Sequence, residues 1–136
     1  MRLTVLLVVI IATGAGCTSQ PPQIAIEGQY ANLSPLFIGA GSVFFEVRND
    51  GGSDAMVRAT VAVPNAVVEF HDVRDSRMVR VEKIPVPSRS VVDLKPGGQH
   101  LMIFNLPKTT KEGSEIVLTL TFERSGEMQV PVRFIK

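Results

Sequence analysis

The chain has 136 residues, 20% of them charged, and a formal net charge of +1 at neutral pH. This length accommodates one domain with little left over, and seven Phe together with many Val, Ile and Leu supply enough apolar volume for one core. No basic cluster interleaved with aromatic residues occurs, which argues against nucleic acid as the partner.

The first 16 residues have the order of a secretory signal peptide. Met1-Arg2 is positively charged, Leu3–Ile11 is apolar apart from one Thr, and Thr13–Gly16 is a run of small residues. The apolar stretch is too short to span a bilayer as a permanent helix, and it lacks the amphipathic pattern of a buried one. We therefore expect this segment to be removed on export.

Cys17 is the only cysteine, so it cannot form an intramolecular disulfide. The preceding residues are similar to the lipobox of bacterial lipoproteins, although Gly14 stands where Leu is usual. We expect Cys17 to carry lipid that tethers the protein to a membrane of the periplasm or cell envelope, and cleavage without lipidation is the alternative. Residues 17–23 are then a short linker stiffened by two prolines, and residues 24–136 form a domain with 13 basic and 13 acidic side chains.

The domain alternates short apolar runs with turn residues from end to end. Runs with a period near two are typical of half-buried strands. Turn formers such as Asn49–Gly52 and Lys95–Gly98 separate the runs. The pattern predicts seven to nine strands in an all-β, antiparallel Greek-key β-sandwich. The predicted strands include Ser42–Val47, Met56–Val63, Ala66–Phe70, Ser90–Leu94, Ile116–Phe122 and Met128–Phe134.

The two histidines of the chain each lie on a predicted strand with a methionine nearby. The first pair, His71 and Met78, flanks a tight connection between two strands. A loop centred between Arg74 and Asp75 would place His71 directly opposite Met78, close enough for both side chains to reach one ion. A loop of two or four residues keeps this register, whereas a loop of three residues would break it.

The second pair, His100 and Met102, is two residues apart, so both side chains project from one face of their strand. The intervening Leu101 projects from the other face. The two pairs form one site only if the tip of the first hairpin approaches the start of the His100 strand. This approach is a tertiary contact that the local pattern does not determine.

The residue types in this set favour cuprous copper. Thioether sulfur is soft and neutral, and imidazole is neutral when it binds, so the set suits a monovalent ion. Zinc prefers thiolate or carboxylate ligands in structural sites, and cupric ion would favour added nitrogen or oxygen ligands. We expect Glu69 to point away from the face of His71 if the strand is regular. The proposed copper(I) ligands are His71, Met78, His100 and Met102.

A structural role is the alternative for each of these residues, because methionine on a strand usually fills a core and a histidine at a turn often lies on the surface. Met56 and Met128 have no histidine at strand spacing and are assigned to the core or the sheet surface. An enzyme is disfavoured, since no motif for a nucleophile, a metalloprotease or a phosphate loop occurs. A blue-copper electron carrier needs a thiolate ligand, and Cys17 lies at the lipid anchor.

The spacing of the candidate ligands matches a known pattern. Met78 and His100 are separated by 21 residues, and the stretches Leu94–Met102 and Val47–Gly52 add local similarity. Over about Ile24 to Phe134 the sequence resembles the periplasmic copper chaperone family often called PCuAC, whose hallmark is His, Met, 21 residues and His-x-Met. The family has a longer first spacer than the six residues between His71 and Met78, but shortening by an even number preserves the face of Met78.

The resemblance implies a cupredoxin-like sandwich that holds copper(I) near its surface and passes it on. Neutral ligands on a strand edge and a hairpin tip would allow a recipient's ligands to replace them one at a time, and we expect the protein to be a monomer. It also implies delivery to the binuclear copper site of cytochrome c oxidase, directly or through a copper assembly protein. Copper buffering without a recipient and a metal-free structural lipoprotein are the alternatives. Loss of oxidase activity at low copper on gene deletion would indicate delivery, whereas copper sensitivity with normal oxidase would indicate buffering.

Overall fold

The computed structural model describes residues 19–136, which form an all-β domain. The predicted signal peptide and Cys17 lie outside the described residues. No helix within residues 19–136 has the length and apolar character needed to cross a membrane. The strands are β1 (Ile24–Leu33), β2 (Gly41–Asn49), β3 (Asp54–Val61), β4 (Val67–Arg74), β5 (Arg77–Val81), β6 (Ile84–Val86), β7 (Ser90–Leu94), β8 (His100–Phe104), β9 (Glu115–Phe122) and β10 (Gly126–Ile135).

Alternating sequence patterns account for most of these strands. The six predicted runs correspond to β2, β3, β4, β7, β9 and β10, with ends that differ by at most four residues. The structure has ten strands in place of the seven to nine expected. Strand β1 was not among the predicted runs, because a bulge between Glu27 and Tyr30, where Gly28 has a φ of +65°, interrupts the alternation of apolar and polar residues. The three-residue β6 contains Pro85, which weakens a strand signal.

The strands form two layers that are joined at one edge. The first layer has the order β5-β4-β8-β2-β1, and the second has the order β10-β9-β3-β6. Strand β8 pairs with the first residues of β2, and β7 pairs with its last residues. A short parallel pairing of β1 with β10 connects the layers, while the other strand pairs within residues 19–136 are antiparallel. The predicted β-sandwich is confirmed, with one parallel pairing that was not expected.

The core lies between the two layers and consists of aliphatic and aromatic side chains. Leu101 and Phe70 of the first layer belong to it, together with Phe122 of the second. Met56 is fully buried in this core, and Met128 packs against its margin, which confirms the structural assignment of both methionines. The face of β8 that is turned away from the core therefore remains available for other chemistry.

Residues 19–23 are bonded to the domain and do not extend away from it. The Gly52 amide donates a hydrogen bond to Pro21 O (3.0 Å), and the Gln23 amide donates one to Asn49 Oδ1 (3.1 Å). Asn49 is fully buried, and its side-chain amide donates to Gly52 O at 2.7 Å. The second part of the predicted linker is thus held against the turn between β2 and β3.

Replacing Gly52 with Ala should destabilise the domain by about 1–3 kcal/mol, as overpacking commonly does. The added methyl carbon would lie 1.8 Å from Gln20 O, a backbone atom that can move only if the docked segment shifts. Denaturant unfolding followed by circular dichroism measures this loss. The matched control is Gly98→Ala, whose methyl would meet nothing closer than 3.6 Å. Equal unfolding free energies for the Gly52→Ala variant and the parent protein would contradict the docking of this segment.

Candidate metal centre

The β4–β5 hairpin carries His71 and Met78. Its two-residue turn is Asp75–Ser76, and both residues have positive φ (49° and 59°), as a type I′ turn requires. In the resulting register His71 lies opposite Arg80, and Val73 lies opposite Met78. The prediction that His71 directly faces Met78 is therefore wrong, because the turn is centred one residue later than expected.

Despite this shift of register, Met78 still lies on the same face of the sheet as His71, as predicted. Met78 is two residues from Arg80, the cross-strand partner of His71, so all three side chains share one face. Diagonal neighbours of this kind are about 7–8 Å apart, a distance that a long methionine side chain can bridge. Arg80 takes the position directly opposite His71.

Strand β8 brings His100 and Met102 to the same face. It lies between β4 and β2, with His100 opposite His71 and Met102 opposite Glu69. The intervening Leu101 is fully buried in the core, as the alternation of side chains along a strand requires. The pairing of β4 with β8 thus supplies the tertiary contact that the local sequence pattern left open.

Burial differs among the four candidate ligands. His100 and Met102 are 4% and 5% exposed, whereas Met78 is 55% exposed. The His71 side chain is 12% exposed. We expected ligands on a strand edge, but β8 is an interior strand, and the rings of Phe44 and His71 on its two neighbours flank His100. Met78, on the outermost strand, is the accessible member of the set.

Aromatic rings adjoin the two imidazoles on this face. The ring centroids of His71 and His100 are 5.8 Å apart, with Phe104 at 6.3 Å from His71 and Phe44 at 6.0 Å from His100. Tyr30 continues the row 5.2 Å beyond Phe44. The sequence interpretation missed these rings, although the alternation along β8 places Phe104 on the face of Met102. They give the candidate site apolar walls.

Hydrogen bonds determine which nitrogen of each neutral imidazole carries the proton. His100 Nδ1 lies 2.9 Å from Gly98 O, which can only accept, so Nδ1 is the donor and Nε2 has the free lone pair. His71 Nε2 lies 2.9 Å from Glu69 Oε2. His71 Nδ1 is buried and has no hydrogen-bond partner among the described residues. One unprotonated nitrogen is thus available on each ring.

Glu69 lies on the same face as His71, and the expectation that it points away is wrong. Residues two apart on a regular strand share a face, so regularity of β4 brings the two side chains together. The second carboxylate oxygen, Oε1, lies 3.8 Å from the guanidinium of Arg80. Strand periodicity alone would have identified Glu69 as a neighbour of the site.

The two thioethers line one pocket of about 700 Å³. Phe44, Phe104 and the exposed loop between β1 and β2 form much of the remaining wall. Ser42 Oγ donates a hydrogen bond to Met102 Sδ at 3.0 Å. This hydrogen bond orients the Met102 side chain. It is a weak bond, because thioether sulfur is a weak acceptor, so it would compete little with a metal ion for the sulfur. The pocket gives the face of the sheet an opening beside Met78.

The donors gathered here are imidazole nitrogen and thioether sulfur. Within residues 19–136, no three side chains of the types His, Cys, Asp and Glu lie close enough together to hold a metal ion. The arrangement therefore lacks the anionic ligand cluster that calcium, magnesium or structural zinc uses. Neutral donors of soft and intermediate character fit a monovalent soft ion.

Comparison with known proteins shows the family of the chain. The sequence model of the family described as "Putative lipoprotein LpqE-like" matches residues 24–134. A curated relative, "Putative lipoprotein Lxx21020" from Leifsonia xyli subsp. xyli (strain CTCB07), is 24% identical over 102 residues. The match covers 70% of this chain and 61% of that relative, so the chain spans about three fifths of the relative's length.

Solved structures with the same fold are PCuAC domains. The copper-bound PCuAC domain from PmoF2 superposes with a TM-score of 0.70 at 24% identity, covering 82% of this chain and 92% of that domain. The solution structure of CuI-DR1885 from Deinococcus radiodurans gives 0.69 at 19% identity, covering 92% and 85%. These likenesses confirm the cupredoxin-like fold expected from the sequence. The chain belongs to the LpqE-like lipoprotein family and has the fold of PCuAC domains.

Proposed function

We propose that this domain is an extracytoplasmic metallochaperone that binds copper(I) as its cargo. The observation that carries the proposal is the buried Nδ1 of His71, which has no hydrogen-bond partner within residues 19–136 and belongs to a ring 5.8 Å from that of His100. Leaving a buried polar atom without a partner costs about 1–3 kcal/mol. A cation bound by His71 Nδ1, His100 Nε2, Met102 Sδ and Met78 Sδ would satisfy this atom.

Charge and polarity favour copper(I) over other ions at this position. The four ligands are neutral, so a monovalent ion leaves less charge to compensate in a partly buried site than a divalent ion does. The apolar walls formed by Phe44 and Phe104 disfavour ions such as magnesium that retain bound water. Neutral nitrogen and sulfur ligands can bind and release the ion without any covalent chemistry. The proposed role is therefore copper binding and transfer, not catalysis.

The uneven burial of the ligands suggests how copper could enter and leave. Met78 is exposed, whereas Met102, which lines the same pocket, and His100 are buried. A recipient would reach the ion from the side of Met78, and its ligands would replace that thioether first. Exchange of one neutral ligand at a time avoids a fully uncoordinated ion.

The proposed recipient is cytochrome c oxidase or the copper protein that assembles it. This part of the proposal rests on the sequence resemblance to PCuAC chaperones and on the shared fold. Two of the similar structures are described as copper-bound or CuI forms, and that chemistry belongs to those proteins. Buffering of copper would use the same site and differs only in lacking a dedicated recipient.

We propose that lipid attached to Cys17 anchors the domain to a membrane in the cell envelope. The family description supports this proposal, and the docked position of residues 19–23 indicates where on the domain the anchor would lie. Ser42, at one end of β2, lies opposite Met102, and Asn49, at the other end, bonds Gln23. The seven residue steps from Ser42 to Asn49 span about 24 Å along the strand. The copper site would therefore lie at the end of the domain away from the anchor.

Titration of the purified domain with copper(I) under a competing chelator tests the site. We expect one ion per chain, and we expect His100→Ala and Met102→Ala each to raise the Kd at least tenfold, since each removes a buried ligand. Met128→Ala is the control, because it removes a thioether outside the site. Wild-type affinity in both the His100→Ala and Met102→Ala variants would defeat the ligand assignment.

Arg80→Met should tighten copper(I) binding by about tenfold. The change places a thioether directly opposite His71, where cross-strand Cβ atoms are about 4.5–5.5 Å apart, and it removes a positive charge beside the ion. Arg77→Met is the matched control, because Arg77 pairs with Arg74 on the other face of the hairpin. An equal increase in copper(I) affinity in the two variants would contradict the prediction, because it would show that the new thioether need not lie on the face of His71.

Cys17→Ser should move the protein from the membrane fraction to the aqueous fraction of the cell envelope, because it removes the only cysteine available for lipid attachment. Immunoblots of the separated fractions measure this shift. Copper(I) affinity of the purified variant should be unchanged, since the site is distant from the anchor. Retention of the variant in the membrane fraction would contradict lipid anchoring through Cys17.

A further inference from the structure

Glu69 is a charged side chain that contacts a candidate ligand directly. Its Oε2 lies 2.9 Å from His71 Nε2, and its side chain is 24% exposed. The Oε1 atom lies 3.8 Å from Arg80, whose side chain is 73% exposed, so that second contact is weak and screened by solvent. The short contact with His71 is therefore the main interaction of this carboxylate.

A carboxylate can only accept a hydrogen bond, so its contact with Nε2 keeps the proton on that nitrogen. The other nitrogen, Nδ1, then retains its lone pair. This is the same nitrogen that is buried without a hydrogen-bond partner in the described part of the chain. Without an acceptor at Nε2, a neutral imidazole could carry its proton on Nδ1 and would then present no lone pair to an ion.

We propose that Glu69 is a positioning residue that fixes the tautomer and orientation of His71 for metal binding. The proposal deepens the function proposed above and rests on it for its effect on copper affinity. A carboxylate bonded to a ligating histidine also holds the ring in one orientation, which favours the bond to the metal. Gly98 O performs the orienting role for His100, but as a backbone atom it contributes no full charge.

The position of Glu69 also supplies a negative charge to a ligand set that has none. Copper(I) bound by neutral donors leaves one positive charge in a partly buried site. Glu69, held next to His71 and opposite Met102, is placed to balance this charge. The positive charge of Arg80, whose side chain is exposed, would partly offset the negative charge of Glu69.

Heteronuclear NMR of the metal-free protein tests the tautomer without any copper. The nitrogen shifts of His71 should show a proton on Nε2 in the wild type and a mixture of tautomers in Glu69→Ala. In copper(I) titrations the same variant should raise the Kd by about 10- to 100-fold, as loss of a partner of a ligating histidine does. Glu69→Gln removes the charge and leaves an amide that can either accept from or donate to Nε2, so we expect a mixture of tautomers and a Kd between those of the other two proteins.

Glu82→Gln is the matched control, since it removes a nearby exposed carboxylate just beyond β5 and should change neither measurement. Wild-type nitrogen shifts or a Kd within twofold of wild type in Glu69→Ala would overturn the inference. Failure of the wild type to bind copper would instead contradict the proposed function, and the metal-free spectra would still decide the tautomer.

Discussion

The pairing of β4 with β8 is the contact on which the candidate site depends. It sets His71 opposite His100 and Glu69 opposite Met102, and so it brings together side chains about 30 residues apart in the chain. No local pattern in either strand requires this contact. A slip of one residue would turn one set of these side chains to the opposite face of the sheet. The apolar residues that alternate with them, such as Phe70 and Leu101, prevent that slip by occupying the core.

The two faces of the first layer therefore differ in composition and role. One face packs against the second layer and holds the sandwich together. The other carries the imidazoles, the thioethers and the rings of Phe44 and Phe104. Because successive residues of a strand point to opposite faces, changes to the ligands need not disturb the main core. The docked residues 19–23 lie at the far end of β2, which separates the proposed anchor from the proposed copper site.

Much of this arrangement could be predicted from the sequence, because strand alternation is a local property. Strand alternation identified most strands, placed His100 and Met102 on one face of their strand, and placed Met78 on the face of His71. The same rule, correctly applied, would also have placed Glu69 beside His71. The partner of His71 in the hairpin could not be predicted, because it depends on whether the turn is centred at Asp75–Ser76 or one residue earlier. The burial of His100 depends on the order of strands in the sheet, which is determined by contacts between distant parts of the chain.

X-ray absorption spectroscopy of the copper(I)-loaded domain tests the central claim most directly, because it distinguishes nitrogen from sulfur neighbours of the ion. We expect a first coordination shell of two imidazole nitrogens and two thioether sulfurs, with the sulfur contribution reduced when Met102 is replaced. A shell that contains no sulfur, or no imidazole nitrogen, would contradict it.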